Sequence, residues 1–185
     1  KNVRSRIMGI STLISTSTAS NSSSIDITSG LDSTYDEYMF VCTAINPAEN
    51  SRNFTFQVNA ADESGFNETI TSSSFRAYHY ENDSAAALGY DGDQDQAQGT
   101  AYQNLSQSNG NGSDECCAGI LHLFNPSSTT YVKHFYSRFN GLHDSDVSMG
   151  DFIAGYINTT AAIDEISFKM AAGNFDGVIQ MYGIA

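Results

Sequence analysis

Alternation of side chains with a period of two, on either side of a proline turn, constrains this fold more than any other feature of the sequence. The run Ala118–Phe124 places Ile120, His122 and Phe124 on one face of a predicted strand. The run Tyr131–Phe139 alternates in the same way. Between them, Asn125–Thr129 has the composition of a turn, because proline fixes φ and removes a backbone donor. The pattern predicts a long hairpin at the centre of a sheet.

Further runs of the same kind cover most of the chain, and no convincing amphipathic helix interrupts them. They predict strands at 7–17, 25–27, 35–45, 54–58, 69–81, 147–158, 166–170 and 178–184. Long strands joined by long connections favour a jelly roll over an up-and-down arrangement. We therefore expect an all-β protein, a single domain folded as a jelly-roll-like antiparallel β-sandwich.

Two stretches depart from the strand pattern and define the predicted domain organisation. Residues 1–17 are expected to form an N-terminal arm and first strand, followed by a polar spacer from Thr16 to Ser24. Residues 18–185 are expected to form the sandwich. Within it, residues 82–115 are rich in Gly, Asn, Asp, Gln and Ser, which predicts a long polar excursion between strands.

The charge distribution excludes some classes of partner. The net charge is −13, so the body of the protein repels phosphate backbones and nucleic-acid binding is not expected. Lys1, Arg4 and Arg6 are three of only eight Lys and Arg residues and form a basic arm that could dock on an acidic neighbour; a solvated terminus is the alternative. No apolar run approaches the roughly 20 residues that cross a bilayer, so membrane insertion is not expected.

The three cysteines predict free thiols rather than a disulfide framework. Cys42 lies in an apolar run, and Cys116 and Cys117 are adjacent, which disfavours their mutual pairing. No zinc-binding spacing is present, and neither HExxH nor GxSxG occurs. We therefore expect no catalytic residues and no cofactor, in a protein assembled in a reducing cytoplasm.

Asp91, Asp93 and Asp95 are spaced like the first ligands of an EF-hand. Gln96 replaces the required glycine and Tyr102 replaces the bidentate glutamate, so an EF-hand is rejected. A surface Ca²⁺ site and a solvated acidic loop both remain open.

Four tyrosines flank or lie within the polar excursion: Tyr78, Tyr80, Tyr90 and Tyr102. Aromatic rings beside amides and carboxylates can stack on sugar rings and hydrogen-bond to hydroxyls. These four residues are therefore the candidates for glycan contact. The alternative is that they cover an open end of the sandwich.

His122 and His134 are predicted cross-strand neighbours in the central hairpin. They could bind a metal ion or act as a base, but no carboxylate pattern accompanies them, which favours a structural pair. With Tyr136 and Arg138 they are the only candidates for a polysaccharide-degrading site. A net charge of −13 disfavours an anionic polymer as its substrate.

Five long stretches of the sequence carry a resemblance: Ser29–Phe40, Asn53–Ala86, Gly119–Ser137, Phe152–Met170 and Gly173–Ile184. They resemble a family of marine bacteriophage structural proteins, labelled tail-fibre-like or virion proteins of cyanophage and pelagiphage type. The resemblance implies a virion component with a β-rich globular domain and no catalytic residues. Fibre-like members carry a repetitive N-terminal shaft, whereas this sequence starts close to the globular domain, which favours a capsid decoration or a short appendage.

The resemblance implies a protein on the virion surface that assembles and adheres rather than catalyses. Its expected partners are copies of itself, as a homotrimer, other virion proteins and a host surface glycan. The first alternative is the host-receptor or carbohydrate-binding tip of a tail fibre. The second is a polysaccharide-degrading jelly-roll enzyme.

Overall fold

The computed structural model describes residues 11–185, which form twelve β-strands and no helix. Lys1, Arg4 and Arg6 of the predicted arm lie outside the described residues. The strands are β1 (Ser11–Ser22), β2 (Ile25–Ile27), β3 (Glu37–Pro47), β4 (Arg52–Ala60), β5 (Ile70–Tyr80), β6 (Ala86–Tyr90), β7 (Gln103–Asn109), β8 (Cys117–Phe124), β9 (Lys133–His143), β10 (Val147–Ile157), β11 (Ile163–Met170) and β12 (Phe175–Ile184).

Every strand pair is antiparallel, and the strands form two packed layers. An eight-stranded sheet has the order β6-β5-β10-β9-β8-β3-β12-β1, and a four-stranded sheet has the order β7-β4-β11-β2. The two layers are continuous at one point, where a single bridged pair, Asn109 with His143, connects β7 to β9.

The strand order is that of a jelly roll, in which strands from the two ends of the chain alternate within each sheet. One layer contains β1-β12-β3-β8 and the other contains β2-β11-β4-β7. The remaining four strands, β9, β10, β5 and β6, extend the first layer beyond β8. The expectation of an all-β, jelly-roll-like sandwich in one domain is confirmed.

Phenylalanine side chains hold the two layers together. Phe40 of β3 packs against Phe168 of β11 with ring centroids 5.5 Å apart, and Phe56 of β4 packs edge-on against Phe135 of β9 at 5.1 Å. Phe54 is fully buried and contacts rings from both layers. Burial of a side chain of this size stabilises the folded chain by roughly 1.5–3 kcal/mol, so these rings dominate the core.

The predicted central hairpin is confirmed. β8 and β9 pair antiparallel on either side of the turn, and β8 lies between β3 and β9 inside the sheet. Only one face of β8 is buried, however: Leu121 and Leu123 point into the core, whereas Ile120 is exposed on the other face.

The structure contains strand in two stretches to which the sequence assigned none. The predicted spacer from Thr16 is strand as far as Ser22, and the polar stretch 82–115, which lies between β5 and β8, contains β6 and β7. β7 has the sequence QNLSQSN, and its polar side chains are buried in hydrogen bonds rather than solvated. Gln103, for example, is fully buried and donates to the carbonyl oxygen of Gln94 at 2.8 Å. Alternation of apolar residues cannot reveal a strand that is buried through amides.

Candidate ligand-binding face of the eight-stranded sheet

Exposed large apolar side chains concentrate on one surface of the protein. The outer face is defined here as the surface of the eight-stranded sheet that points away from the four-stranded sheet. Six of the seven exposed large apolar side chains among the described residues lie on it: Leu13, Phe75, Leu88, Tyr90, Ile120 and Tyr136. The seventh, Tyr131, is in the turn before β9.

Strand register brings these side chains into rows across the sheet. Cross-strand partners share a face, so Tyr90, Phe75, Phe152, Arg138 and Ile120 form one continuous row over β6, β5, β10, β9 and β8. Nearest partners within such a row are about 4.5–5.5 Å apart at Cβ, close enough for direct contact.

The centre of this row is a stack of two rings and a guanidinium group. Phe75 and Phe152 are parallel within 2°, with centroids 4.9 Å apart. The guanidinium carbon of Arg138 lies 5.2 Å from the centroid of the Phe152 ring, a cation–π contact. Phe75 is 47% exposed, so the stack is open to solvent rather than covered by the rest of the chain.

A second aromatic group lies beside the first, on β8 and β9. The rings of His122 and Tyr136 stack with centroids 4.5 Å apart, and Phe124 packs on Tyr136 at 5.8 Å. Glu37 of β3 holds the imidazole, with its Oε1 atom 2.5 Å from Nδ1 of His122. The two aromatic groups adjoin along β9, because Tyr136 and Arg138 are separated by one residue and point to the same side.

Three shallow depressions run across the outer face and connect these groups. The first, about 420 Å³, is lined by His134, Ala154 and Tyr156. The second, about 270 Å³, lies between Phe75, Phe152 and Tyr136, and shares Ala154 with the first. The third, about 350 Å³, adjoins the second at Tyr136 and Arg138. Together they form an open groove of the size of a small-molecule site, which begins at about 300 Å³.

The tyrosines predicted to contact glycan do not form one site. Tyr90 lies on the outer face at the β6 edge, and its hydroxyl donates to Asp95; this hydrogen bond, with a smaller contribution from burial, raises the pKa of Tyr90. Tyr78 and Tyr80 lie on the opposite face of β5, where they pack edge-on to each other at 6.0 Å. They line a separate cavity of about 190 Å³ together with Arg76 and His143.

Tyr102 lies on the other layer of the sandwich. Its ring accepts a cation–π contact from Lys169 of β11 at 4.0 Å, and its hydroxyl donates to Ser167 at 3.1 Å. Burial raises the pKa of Tyr102. This tyrosine therefore has intramolecular partners on both its ring and its hydroxyl.

The carboxylates predicted as a calcium site have different environments. Asp91 is buried, accepts from Gln107 and forms an ion pair with Arg76, whereas Asp95 accepts from the hydroxyl of Tyr90. Among residues 11–185 no group of three or more His, Cys, Asp or Glu side chains is arranged to hold a metal ion. The structure thus does not bring Asp91, Asp93 and Asp95 together as ligands.

The two hairpin histidines share the outer face, but they are not directly opposite each other. His122 pairs with Tyr136, which places His134 one step further along β9. The sequence shows no carboxylate pattern beside these histidines, but the fold brings Glu37 of β3, a strand distant in sequence, against His122. Sequence spacing could not reveal that Glu37 contacts His122. The sequence indicated only that each of these two residues lies on a predicted strand.

A buried polar cluster, of which the sequence analysis singled out only Asp91, joins the two layers. Asp151 of β10 is 2% exposed and accepts from the backbone N–H of Gln107 at 3.1 Å and from its amide at 2.7 Å. The same amide donates to Asp91, and the guanidinium of Arg76 donates to Gln107 at 2.7 Å. Burial raises the pKa of Asp151 to about 6, although the hydrogen bonds from Gln107 act in the opposite direction.

Comparison of the chain with protein-family models, with curated proteins and with solved structures finds no match. Residues 11–185 contain no helix long and apolar enough to cross a membrane. The fold and the outer face therefore define the class, a jelly-roll-like β-sandwich with an exposed aromatic groove on its larger sheet.

Proposed function

We propose that this chain is a surface protein of a bacteriophage particle that adheres to its partner through the outer face and catalyses no reaction. Two independent observations support the proposal. The long strings quoted above resemble virion proteins of marine phages, and the jelly-roll-like sandwich is the fold that this resemblance implies. The position on the particle is proposed to be a capsid decoration or a short appendage.

The observation that carries adhesion is the concentration of exposed aromatic side chains on one sheet face. A monomeric soluble protein seldom exposes a contiguous apolar patch without using it for an interaction. Here the rings are also ordered before any partner arrives, since Phe75 stacks on Phe152 and Tyr136 stacks on His122. Preordered side chains lose little conformational entropy on binding, which favours affinity.

A host surface glycan is the partner that suits this face. Aromatic rings offer flat apolar surfaces for sugar rings, and polar groups must lie close enough to bind the hydroxyls. The groove provides both: Tyr136 and Phe152 on its floor, with His134, Asn140 and Ser73 along its sides. Glycan binding through this face also fits the alternative, the carbohydrate-binding tip of a tail fibre.

Assembly is proposed to use other surfaces. The basic arm with Lys1, Arg4 and Arg6 would anchor the chain on an acidic neighbour, either another virion protein or a second copy in a homotrimer. Assembly would take place in the host cytoplasm, where Cys42, Cys116 and Cys117 remain reduced; all three are free thiols in the structure.

The location is tested by mass spectrometry of density-purified marine phage particles. Peptides of this chain should co-purify with major capsid proteins at a constant ratio through successive gradients. Recovery only from the culture supernatant or from cell envelopes would contradict a virion role.

Adhesion is tested with the purified chain on immobilised bacterial surface polysaccharides. Tyr136→Ala should reduce retention about fivefold or more, because a base stacked on an aromatic ring gains about 1–3 kcal/mol and a sugar ring is expected to gain a similar amount. Tyr131→Ala is the matched control, since Tyr131 is also a tyrosine and is more exposed, but lies in a turn away from the groove. Equal retention of both variants would contradict adhesion through the outer face.

Cleavage of an acidic polysaccharide is the second candidate, and one specific observation favours it. The structure gathers a carboxylate–imidazole pair, Glu37 with His122, beside Tyr136 and Arg138 on the same face. A base, a phenol and a cation within one groove are groups that polysaccharide cleavage can use. Release of reducing or unsaturated ends from pectate, alginate or a sulfated galactan, lost in His122→Ala, would establish this candidate in place of adhesion.

A further inference from the structure

We infer that the glycan bound by the outer face carries an acidic substituent, a carboxylate or a sulfate, and that Arg138 binds it. The inference rests on the proposed function, because it names the ligand class for the same face. It concerns one anionic group on an otherwise neutral oligosaccharide.

Arg138 is the arginine of the described residues that has no anionic or carbonyl partner. Arg52 pairs with Glu49 and Arg76 with Asp91, and Lys133 donates to the carbonyl oxygens of Thr159 and Ala161. Lys169 resembles Arg138 in having only an aromatic partner, the ring of Tyr102, but it lies on the four-stranded sheet, away from the outer face. Arg138 contacts only the ring of Phe152, which orients the guanidinium without satisfying its N–H donors. Those donors are therefore available to a ligand.

The position of Arg138 is central to the groove. Its side chain lines both the depression beside Phe152 and the one beside His122, so a ligand that spans the two aromatic groups must pass over it. Cross-strand pairing with Phe152 on one side and Ile120 on the other keeps carboxylates out of its immediate surroundings. An anion bound there would meet a cation on an apolar floor, where charge-assisted hydrogen bonds are strong.

The acidic groups at the same face already have partners of their own. Glu37 contacts His122, Asp95 accepts from the hydroxyl of Tyr90, and Asp176 accepts from the backbone N–H of Asn21. Among the described residues, none of these carboxylates forms an ion pair with Arg138.

The charge of the whole chain limits how acidic the ligand can be. A net charge of −13 repels a dense polyanion, and one unpaired arginine cannot offset a carboxylate on every sugar. A sparsely acidic glycan, with one charged sugar between neutral ones, provides the single anion that Arg138 can bind and avoids the repulsion that a dense polyanion would meet. Stacking on Phe75, Phe152 and Tyr136 then holds the neutral rings.

The test is an array of oligosaccharide cores in which each core is printed in three forms: neutral, with one carboxylated sugar, and with one sulfate. The acidic forms should bind the wild-type chain about ten- to a hundredfold more tightly than their neutral cores, as expected for hydrogen bonds to a charged group. That advantage should fall as NaCl is raised, whereas binding of neutral cores should not. The carboxylate and sulfate forms identify which anion is bound.

Variants separate this inference from the proposed function. Arg138→Gln should lose the preference for acidic forms and retain binding of neutral cores. Arg138→Lys should retain part of the preference, since it keeps the charge but not the bidentate geometry. Arg52→Gln, which removes an exposed cation elsewhere, is the matched control and should behave as wild type.

Three other outcomes would contradict the inference, and one of them would also contradict the proposed function. Equal binding of neutral and acidic forms, unaffected by Arg138→Gln, would overturn the inference and leave glycan adhesion standing. No binding to any core would overturn both. Sedimentation that shows a stable oligomer dissociated by Arg138→Gln would also overturn the inference, because the face would then be covered by a second copy of the chain.

Discussion

Phe75 and Phe152 are direct cross-strand partners whose rings lie parallel, with centroids 4.9 Å apart, on the solvent side of the eight-stranded sheet. Aromatic pairs inside a core are stabilised chiefly by burial, but Phe75 is 47% exposed. The pair therefore contributes through its mutual contact more than through area removed from water. It also provides a flat apolar surface for a ligand.

The coupling between these two rings can be measured with a double-mutant cycle. Phe75→Ala, Phe152→Ala and the double variant, unfolded with urea, should give a coupling free energy of about 1 kcal/mol, the value expected for an aromatic pair. A parallel cycle of Phe75→Ala with Tyr131→Ala should be additive, because Tyr131 lies in a turn outside the stack. A coupling free energy of zero between Phe75 and Phe152 would show that the stack does not persist in solution.

Stability should depend on pH through Asp151. Its pKa is raised from 3.8 to about 6, chiefly by burial, so the folded chain binds a proton that the unfolded chain has already lost between those values. For a carboxyl whose folded pKa is raised, the free energy of unfolding falls as pH rises from about 4 to about 6 and is constant above. The contribution lost is roughly 2–3 kcal/mol.

Asp151→Asn isolates this contribution, because an amide does not titrate. The difference in unfolding free energy between variant and wild type should shift in favour of the variant by roughly 2–3 kcal/mol between pH 4 and pH 7. Urea titrations at intervals of half a pH unit measure it. A difference that does not change with pH would mean that Asp151 titrates normally in the folded chain.

Gly119 and Gly89 should respond in opposite directions to alanine. A Cβ on Gly119 would lie 2.5 Å from the carbonyl oxygen of Arg138 and against the ring of Phe139, so overpacking should cost about 1–3 kcal/mol. A Cβ on Gly89 meets nothing within 4 Å, and alanine in a strand is about 0.5–1 kcal/mol better than glycine. Thermal melts compare the two; a Gly119→Ala variant as stable as wild type would contradict the close approach of β8 and β9.

Phe54 should be among the most costly positions to truncate. Its buried ring contacts Phe139 and Phe175 of the opposite layer and Phe168 of its own. Phe54→Ala should therefore lower the free energy of unfolding by about 3–5 kcal/mol. Tyr131→Ala, at an exposed ring of similar size, should change it by no more than about 0.5 kcal/mol. Similar losses for the two would contradict the two-layer core.

The sequence predicted the strands that bury one apolar face and missed those that do not. The hairpin of β8 and β9 was readable because leucines alternate with other residues and a proline marks the turn. β7 was not, because Gln103 and Gln107 satisfy their buried amides with partners on β10 and in the loop between β6 and β7. Hydrogen-bond partners distant in sequence leave no periodic signal.

Period-two patterning by itself determined the class of the fold and which residues share a face of each strand, since pleating makes that parity a local property. Only the tertiary structure decided which face is inside. On β9 it buried Lys133 and exposed Tyr136 and Arg138. Each face of this strand carries both polar and apolar side chains, so the neighbouring strands set its orientation. The tertiary structure likewise decided the outer face, because Glu37, Phe75, His122 and Phe152 come from four strands that only register brings together.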